Sequence, residues 1–331
     1  MFSKQFDFVA IGDITTDAFI KLHEASVNCD INRENCQICL NFGDKIPYES
    51  VTVVRAVGNS ANAAVAAARL GLSSALIADI GSDENGEECL KALATEKVSE
   101  KFVTTHRGME TNYHYVLWYE DDRTILVKHH DYPRTFPKIL PPKWIYLSSI
   151  GSNSEKYHDD ILSYLTKNPE VKLAFQPGTF QMELGVEKMK EIYSRADILF
   201  VNKEEAQKIL KTHEDDPKKL MAMLRVLGPK IIVVTDGPRG AYAYDDKDAF
   251  FMPIYPNPKT PYERTGAGDA FSSTLTVALA KGLSLEEALR FAPINSMSVV
   301  QYVGSQKGLL SEKDLLDLLS KAPADYKARK I

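Results

Sequence analysis

A chain of 331 residues, 44% hydrophobic and 26% charged, is long enough for one large α/β domain or two smaller ones, and it holds no low-complexity tract. A formal net charge of −5 argues against general binding to nucleic acid or anionic membranes, and no stretch approaches the ~18 uninterrupted apolar residues of a membrane span. Four cysteines do not make a disulfide framework in so long a chain, and the first five residues lack a signal-peptide layout, so thiols in a reducing cytoplasm are expected.

In chain order, residues 6–11 read as a strand that ends in Gly12-Asp13. Ligands of open α/β sheets bind beyond the carboxyl ends of strands, so Asp13 either meets a polar ligand or caps a turn, and Asp17 falls on the next turn or strand. Residues 23–45 hold Cys29, Cys36 and Cys39, which either ligate zinc with His23 or are incidental loop thiols. Residues 47–56 suit a strand, and Gly58-Asn59-Ser60-Ala61-Asn62 opens an alanine-rich helix that Gly71 stops. Ser60 is expected to cap that helix, and Gly58 to let a ligand approach the backbone. A capped core helix does not account for Asn59 and Asn62 beside that glycine.

A strand over 74–80 and a helix over 83–94 follow. Between residues 102 and 130 the pattern changes to consecutive strands, with Thr111, Tyr113, Tyr115, Leu117 and Tyr119 on one face of a hairpin that turns at Asp121-Asp122. That aromatic face either covers a ligand, meets a partner subunit or packs on the body. His129 and His130 are adjacent, so they point opposite ways in a strand and do not read as a metal site.

From residue 144 the βα rhythm resumes, with strands over 145–148, 172–176, 197–201 and 231–235 and helical segments between them, which predicts a parallel sheet with helices on both faces. Asn202 and Glu205 lie three apart at a helix start and either face one cleft or complement the helix dipole. Thr235-Asp236-Gly237-Pro238-Arg239-Gly240 is a turn whose backbone suits a nucleotide border.

Arg264-Thr265-Gly266-Ala267-Gly268-Asp269 then leads into a helix with Phe271, Leu275 and Ala278 on one face and Gly282 at its end. Backbone N–H groups and the helix dipole at such a start favour an anion. A carboxylate there repels a bound phosphate unless it accepts a proton from the group attacking it, so Asp269 beside these donors supplies the parts for phosphoryl transfer. A plain tight turn is the alternative. Ser284-x-x-Glu287 is a capping box, residues 295–303 continue helical, and a last amphipathic helix follows residue 311.

Taken together and in order, Gly12-Asp13, Gly58-Asn59-Ser60-Ala61-Asn62, Asn202-x-x-Glu205, Thr235-Asp236-Gly237-x-x-Gly240 and Thr265-Gly266-Ala267-Gly268-Asp269 resemble the ribokinase (PfkB) family of carbohydrate and nucleoside kinases over nearly the full length. The resemblance implies one kinase domain over 1–331: a doubly wound, mostly parallel sheet with helices on both faces, plus a small β-sheet lid. The body would comprise 1–14, 57–101 and 135–331, and the lid 15–56 and 102–134.

By the same resemblance Asp269 is the base that activates an acceptor hydroxyl, and Gly266, Ala267 and Gly268 donate N–H groups to the transferred phosphoryl group. Asp13, Asp17, Gly58, Asn59 and Asn62 hold the acceptor. Asn202 and Glu205 position Mg2+ and phosphate through water, and Thr235, Gly237, Gly240 and Asn295 border ATP. Glu263 stands where the family usually has Asp, which leaves a monovalent-cation requirement open, and Gln176 replaces a more usual Asn or Asp near the phosphates.

The expected activity is ATP-dependent phosphorylation of an alcohol, preferably a hydroxymethyl, on a small sugar. A nucleoside is the alternative, with the lid's aromatic face for its base, and a non-catalytic regulator is the alternative of another class. A sugar phosphate lacks a basic cluster to hold it. Gly12-Asp13-Ile14 does not supply the glycine pattern of a dinucleotide-binding dehydrogenase. A homodimer through the lid fits the same picture.

Overall fold

The computed structural model describes residues 5–29, 36–120 and 122–331. The chain opens with β1 (Phe8–Ile11), leaves along β2 (Thr15–Leu22), forms a ribbon of β3 (Ser26–Asn28) and β4 (Gln37–Cys39), and returns on β5 (Tyr48–Val57). Helix α1 (Asn59–Arg69), β6 (Ser74–Gly81), α2 (Glu84–Thr95) and β7 (Ser99–His106) precede a hairpin of β8 (Tyr113–Tyr119) and β9 (Asp122–Leu126).

Strand and helix then alternate through β10 (Trp144–Leu147), α3 (Glu155–Lys167), β11 (Lys172–Phe175), α4 (Thr179–Leu184), α5 (Val186–Arg195) and β12 (Ile198–Asn202). After α6 (Lys203–Leu210), α7 (Pro217–Arg225) and β13 (Ile231–Thr235), the chain doubles back in β14 (Ala241–Tyr244) and β15 (Ala249–Met252). Helices α8 (Ala267–Ala280), α9 (Leu285–Val299) and α10 (Glu312–Ser320) and the short β16 (Arg329–Lys330) complete it.

The main sheet has ten strands in the order β16-β15-β14-β13-β12-β11-β10-β1-β6-β7. From β7 to β13 every pair is parallel, and β14, β15 and β16 add an antiparallel edge. Its central strands are continuous apolar runs because both faces are covered: Phe-Val-Ala-Ile in β1 and Trp-Ile-Tyr-Leu in β10 are buried throughout. One face packs on α1, α8 and α9, and the other on α3, α5, α6 and α7. The sheet grows one way from β1 through β6 and the other way through β10, so the end of β1 is a topological switch point.

A second sheet, ordered β5-β2-β8-β9, stands off the body. Its two faces differ sharply. Val53, Tyr115 and Leu126 share one face and are exposed, around a buried Ala18; Phe19, Val116 and Trp118 lie on the other face and are buried.

Four local expectations need correction. Residues 99–106 form an edge strand of the main sheet, so a lid boundary at 102 falls inside β7. The tyrosine face of the hairpin points away from the cleft, with Tyr115 49% exposed, while the face carrying His114 and Trp118 looks inward. Ser60 does not cap α1; Gly58 occupies the N-cap, and the Ser60 hydroxyl donates to the carbonyl of Asp13 at 3.1 Å. Cys29 and Cys36 are joined in a disulfide that closes the β3–β4 ribbon, so two of the three proposed zinc thiolates are taken, and Cys39 and Cys89 remain free. Among the described residues no helix is long and apolar enough to cross a membrane.

Candidate active site

Two helix N-termini and three strand ends converge on one cleft. Helix α8 packs between α1 and α9, which brings its first turn against the start of α1. Asp269 sits in that turn, with the capping Gly266 in a left-handed conformation (φ 81°). The first N–H groups of α8 have no intrahelical acceptor and face the cleft. Gly268 is open, with nothing within 4 Å of where a Cβ would lie. At Gly266 a Cβ would come within 2.4 Å of the Ser305 side chain. Gly266→Ala combines that overlap with an unfavourable φ and is expected to lower kcat by ~100-fold, as loss of an oxyanion donor does, measurable by steady-state ADP release. Near-normal turnover would show that the loop tolerates the displacement.

The Asp269 carboxylate is held from two sides. Asn62 Nδ2 donates to Oδ2 at 2.7 Å, and Gln176 Nε2 to Oδ1 at 3.0 Å. Each amide is fixed in turn: Asn62 Oδ1 accepts from the Ser305 hydroxyl (2.9 Å) and Gln306 Nε2 (3.0 Å), and Gln176 Oε1 accepts from the Tyr146 hydroxyl. Burial raises the Asp269 pKa, opposed by the Asn62, Gln176 and Asn59 hydrogen bonds, with a smaller push upward from the Asp17 charge. The result is a carboxylate anchored at the start of α8 with its basicity increased, the property a general base needs.

At the end of β1, Asp13 Oδ1 accepts from Arg134 Nη2 at 2.9 Å and Oδ2 from the backbone N–H of Gly151 at 2.7 Å. His129 Nδ1 lies 3.2 Å from the same Oδ2. Burial alone would raise Asp13, but His129 and Arg134 outweigh it and hold the pKa below the usual carboxylate value. Gly58 adjoins this site: a Cβ there would meet the Asp13 carbonyl oxygen at 2.8 Å. From the lid, Asp17 on β2 faces His114 on β8, with Nδ1 and Oδ1 3.3 Å apart, and the His114 and His129 rings lie 5.1 Å apart. This end of the cleft therefore presents paired carboxylates and imidazoles, with the edge of Phe180 against His129.

On the other side of the Gly266–Gly268 loop opens a mainly apolar cavity of about 290 Å3, bordered by Thr235, Gly237, Gly240, Met252, Tyr255, Phe271 and Met297 and reaching Ala267 and Gly268. Its flat apolar walls next to a row of N–H donors suit a base joined to phosphates. Asn202 and Glu205, at the end of β12, form a reciprocal capping box: Glu205 N–H donates to Asn202 Oδ1 (2.7 Å) and Asn202 N–H to Glu205 Oε2 (2.8 Å). Burial raises the Glu205 pKa, and the Asp269 charge adds to it. Among the described residues no three acidic, histidine or cysteine side chains are grouped as a direct metal site, so a divalent cation beside Glu205 would be held through water and phosphate oxygens.

Some residues lie elsewhere than expected. Asn295 is fully buried behind the cavity, donating to the Thr274 hydroxyl and accepting from Leu310 N–H, and Ser296 lines the wall instead. Asn62 is turned to Asp269 rather than to the open cleft. Arg134, His114 and His129 join the site without a sequence signal; Arg134 lies in an irregular segment after the lid, and the two histidines carry no motif. His129 and His130 do diverge, the latter facing Glu110.

Comparison with known proteins follows this geometry. Residues 20–312 match the model of the pfkB family carbohydrate kinases. The chain is 26% identical over 271 residues to a ribokinase of Bacillus subtilis, covering 80% of this chain and 87% of that protein. Its fold superimposes with a TM-score of 0.79 on an Arabidopsis thaliana ribokinase complexed with ribose and ATP, at 21% identity, covering 96% of this chain and 99% of that one. A Methanocaldococcus jannaschii nucleoside kinase gives a TM-score of 0.78 at 18% identity, covering 96% and 100%.

Proposed function

The chain belongs to the pfkB family of carbohydrate kinases, and from that premise we propose that it transfers the γ-phosphoryl group of ATP to a hydroxymethyl group of a small free sugar. The observation that carries the reading is Asp269, held by Asn62 and Gln176 at the start of α8 between an apolar cavity and a cluster of carboxylates and imidazoles. In the reaction the acceptor oxygen forms a bond to the γ-phosphorus as its proton passes to Asp269. The bond from that phosphorus to the β,γ-bridging oxygen breaks, and ADP leaves. N–H groups of Gly266, Ala267 and Gly268 meet the charge on the transferred group. Asn202 and Glu205 would hold Mg2+ through water, and the ion would neutralise phosphate charge. Thr235, Gly237 and Gly240 border the nucleotide, and Asp13, Asp17, Gly58 and Asn59 the acceptor.

A free sugar is favoured over a nucleoside because the tyrosine face of the lid is turned outward, leaving polar side chains towards the acceptor. It is favoured over a sugar phosphate because the buried Arg134 is already engaged by Asp13 and lies 3.9 Å from Asp79. ADP release from ATP and Mg2+, measured against pentoses, hexoses, their phosphates and nucleosides, tests this. Turnover on free sugars is expected, and turnover confined to another class would replace the acceptor assignment. Silence across the panel with ATP still bound would favour a regulator.

The outward lid face also supports a homodimer through the lid. Val51, Val53, Tyr115 and Leu126 each exceed 40% exposure there, a patch of the kind partners cover. Sedimentation is expected to show a dimer that Tyr115→Glu converts to monomer; a monomeric parent chain would remove the proposal.

A further inference from the structure

The hairpin β8–β9 crosses the cleft and seats on the loop that leads into the anion-binding turn. Trp118 meets Tyr262 edge-on with ring centroids 5.0 Å apart, and Arg123 Nε lies 3.6 Å from Glu263 Oε1. Glu263 is 1% exposed. Its Oε1 also accepts from Thr265 N–H at 2.7 Å and from the Thr265 hydroxyl, and among the described residues its Oε2 has no hydrogen-bond partner. A lid cation thus touches the buried carboxylate that fixes the residue immediately before Gly266.

A second contact arrives from β5 of the same lid sheet. A Cβ on Gly304 would lie 2.9 Å from the Val54 side chain, so lid and loop are in close packing there. The next residue, Ser305, packs under Gly266 and donates to Asn62, which donates to Asp269. The lid therefore bears on the anion donors and on the base by two short chains of contact.

We propose that Arg123 is a positioning residue for phosphoryl transfer: the seated lid supplies the cation that pairs with Glu263 while Glu263 holds Thr265, so that enclosing the acceptor and shaping the Thr265–Gly268 donors are one event. This rests on the phosphotransferase reading. A buried carboxylate without its cation draws water into the site and releases its other partners. Misplacing oriented groups by ~1 Å is enough to cost ~100-fold in rate.

The test is steady-state kinetics of Arg123→Met, Arg123→Lys, Glu263→Gln and Arg123→Met/Glu263→Gln on the acceptor found above, with ATP affinity by calorimetry and unfolding followed in parallel. Arg123→Met is expected to lower kcat by ~10-fold or more, with acceptor KM moving by less than ~3-fold and ATP affinity retained. Arg123→Lys should recover most of the loss. The double variant should be no more than ~3-fold worse than the poorer single one, since the two residues act as a unit. An unchanged kcat with a raised acceptor KM would make the lid a cover only and overturn the proposal. Losses that multiply in the double variant would do the same, as would an Arg123→Met chain that no longer unfolds cooperatively. An inactive parent chain would instead strike the phosphotransferase reading, and so is distinguishable.

Discussion

Asp269→Asn is expected to lower kcat by ~10²–10⁴-fold while ATP affinity stays near that of the parent chain. The substitution keeps size and shape but removes the proton acceptor. It leaves the apolar cavity untouched, since none of that cavity's walls is formed by the Asp269 side chain. The pH profile supplies an independent readout. Burial raises Asp269 above the ordinary carboxylate range despite its Asn62, Gln176 and Asn59 hydrogen bonds. Only the ionised form takes a proton, so kcat/KM should be full above this raised pKa and fall as pH drops through it. Asp269→Asn should lose that acid limb along with the rate. A variant with near-parental turnover, or with the limb intact, would assign the base elsewhere.

Arg134→Met is expected to destabilise the fold by ~3–5 kcal/mol, read from urea unfolding, because removing one partner of a buried pair strands the others. The Arg134 side chain is 4% exposed, bonded to Asp13 at 2.9 Å and 3.9 Å from Asp79. The two carboxylates respond differently. Asp13 is held low by His129 and Arg134 against its burial, whereas burial raises Asp79 despite its bond to His106.

The lowered Asp13 contributes stability that is present above its ordinary value of 3.8 and is lost as pH falls through the lower folded value. In the variant both carboxylates can relieve their burial by taking up protons, so the gap between parent and variant should narrow as the solution is acidified below neutrality. A loss under ~1 kcal/mol at neutral pH would mean that Arg134 is hydrated enough to be dispensable.

The sequence was most legible where chemistry restricts the residue. Only glycine accepts the φ of 81° at position 266 with Ser305 against it, and a carboxylate three residues on, at the start of a helix behind a glycine turn, has few uses. Apolar runs in β1 and β10 likewise read as buried parallel strands because no polar residue interrupts them. Side-chain direction was less legible. Asn62 has the same spacing whether it faces an acceptor or Asp269, and only the packing of α1 on α8 turns it to that carboxylate.

Asn295 shows the same limit. One residue along α9 is a rotation of about 100°, enough to exchange a buried bond with Thr274 for the cavity wall that Ser296 takes. The cysteines of the β3–β4 ribbon were read as free thiols or zinc ligands because pairing depends on strand register: Asn28 opposite Gln37 places Cys29 beside Cys36.

By itself, then, the order of short motifs on strand ends determined the fold class and the family, since each motif rests on local backbone geometry or on a residue type with few alternatives. Tertiary structure alone decided what those groups touch. Arg134 reaches Asp13 across 121 residues, and Asn62 reaches Asp269 across 207. Arg123 meets Glu263 only because the lid sheet folds back over the cleft. Contacts at such separations are set by how sheet, helices and lid pack, and no local pattern encodes them.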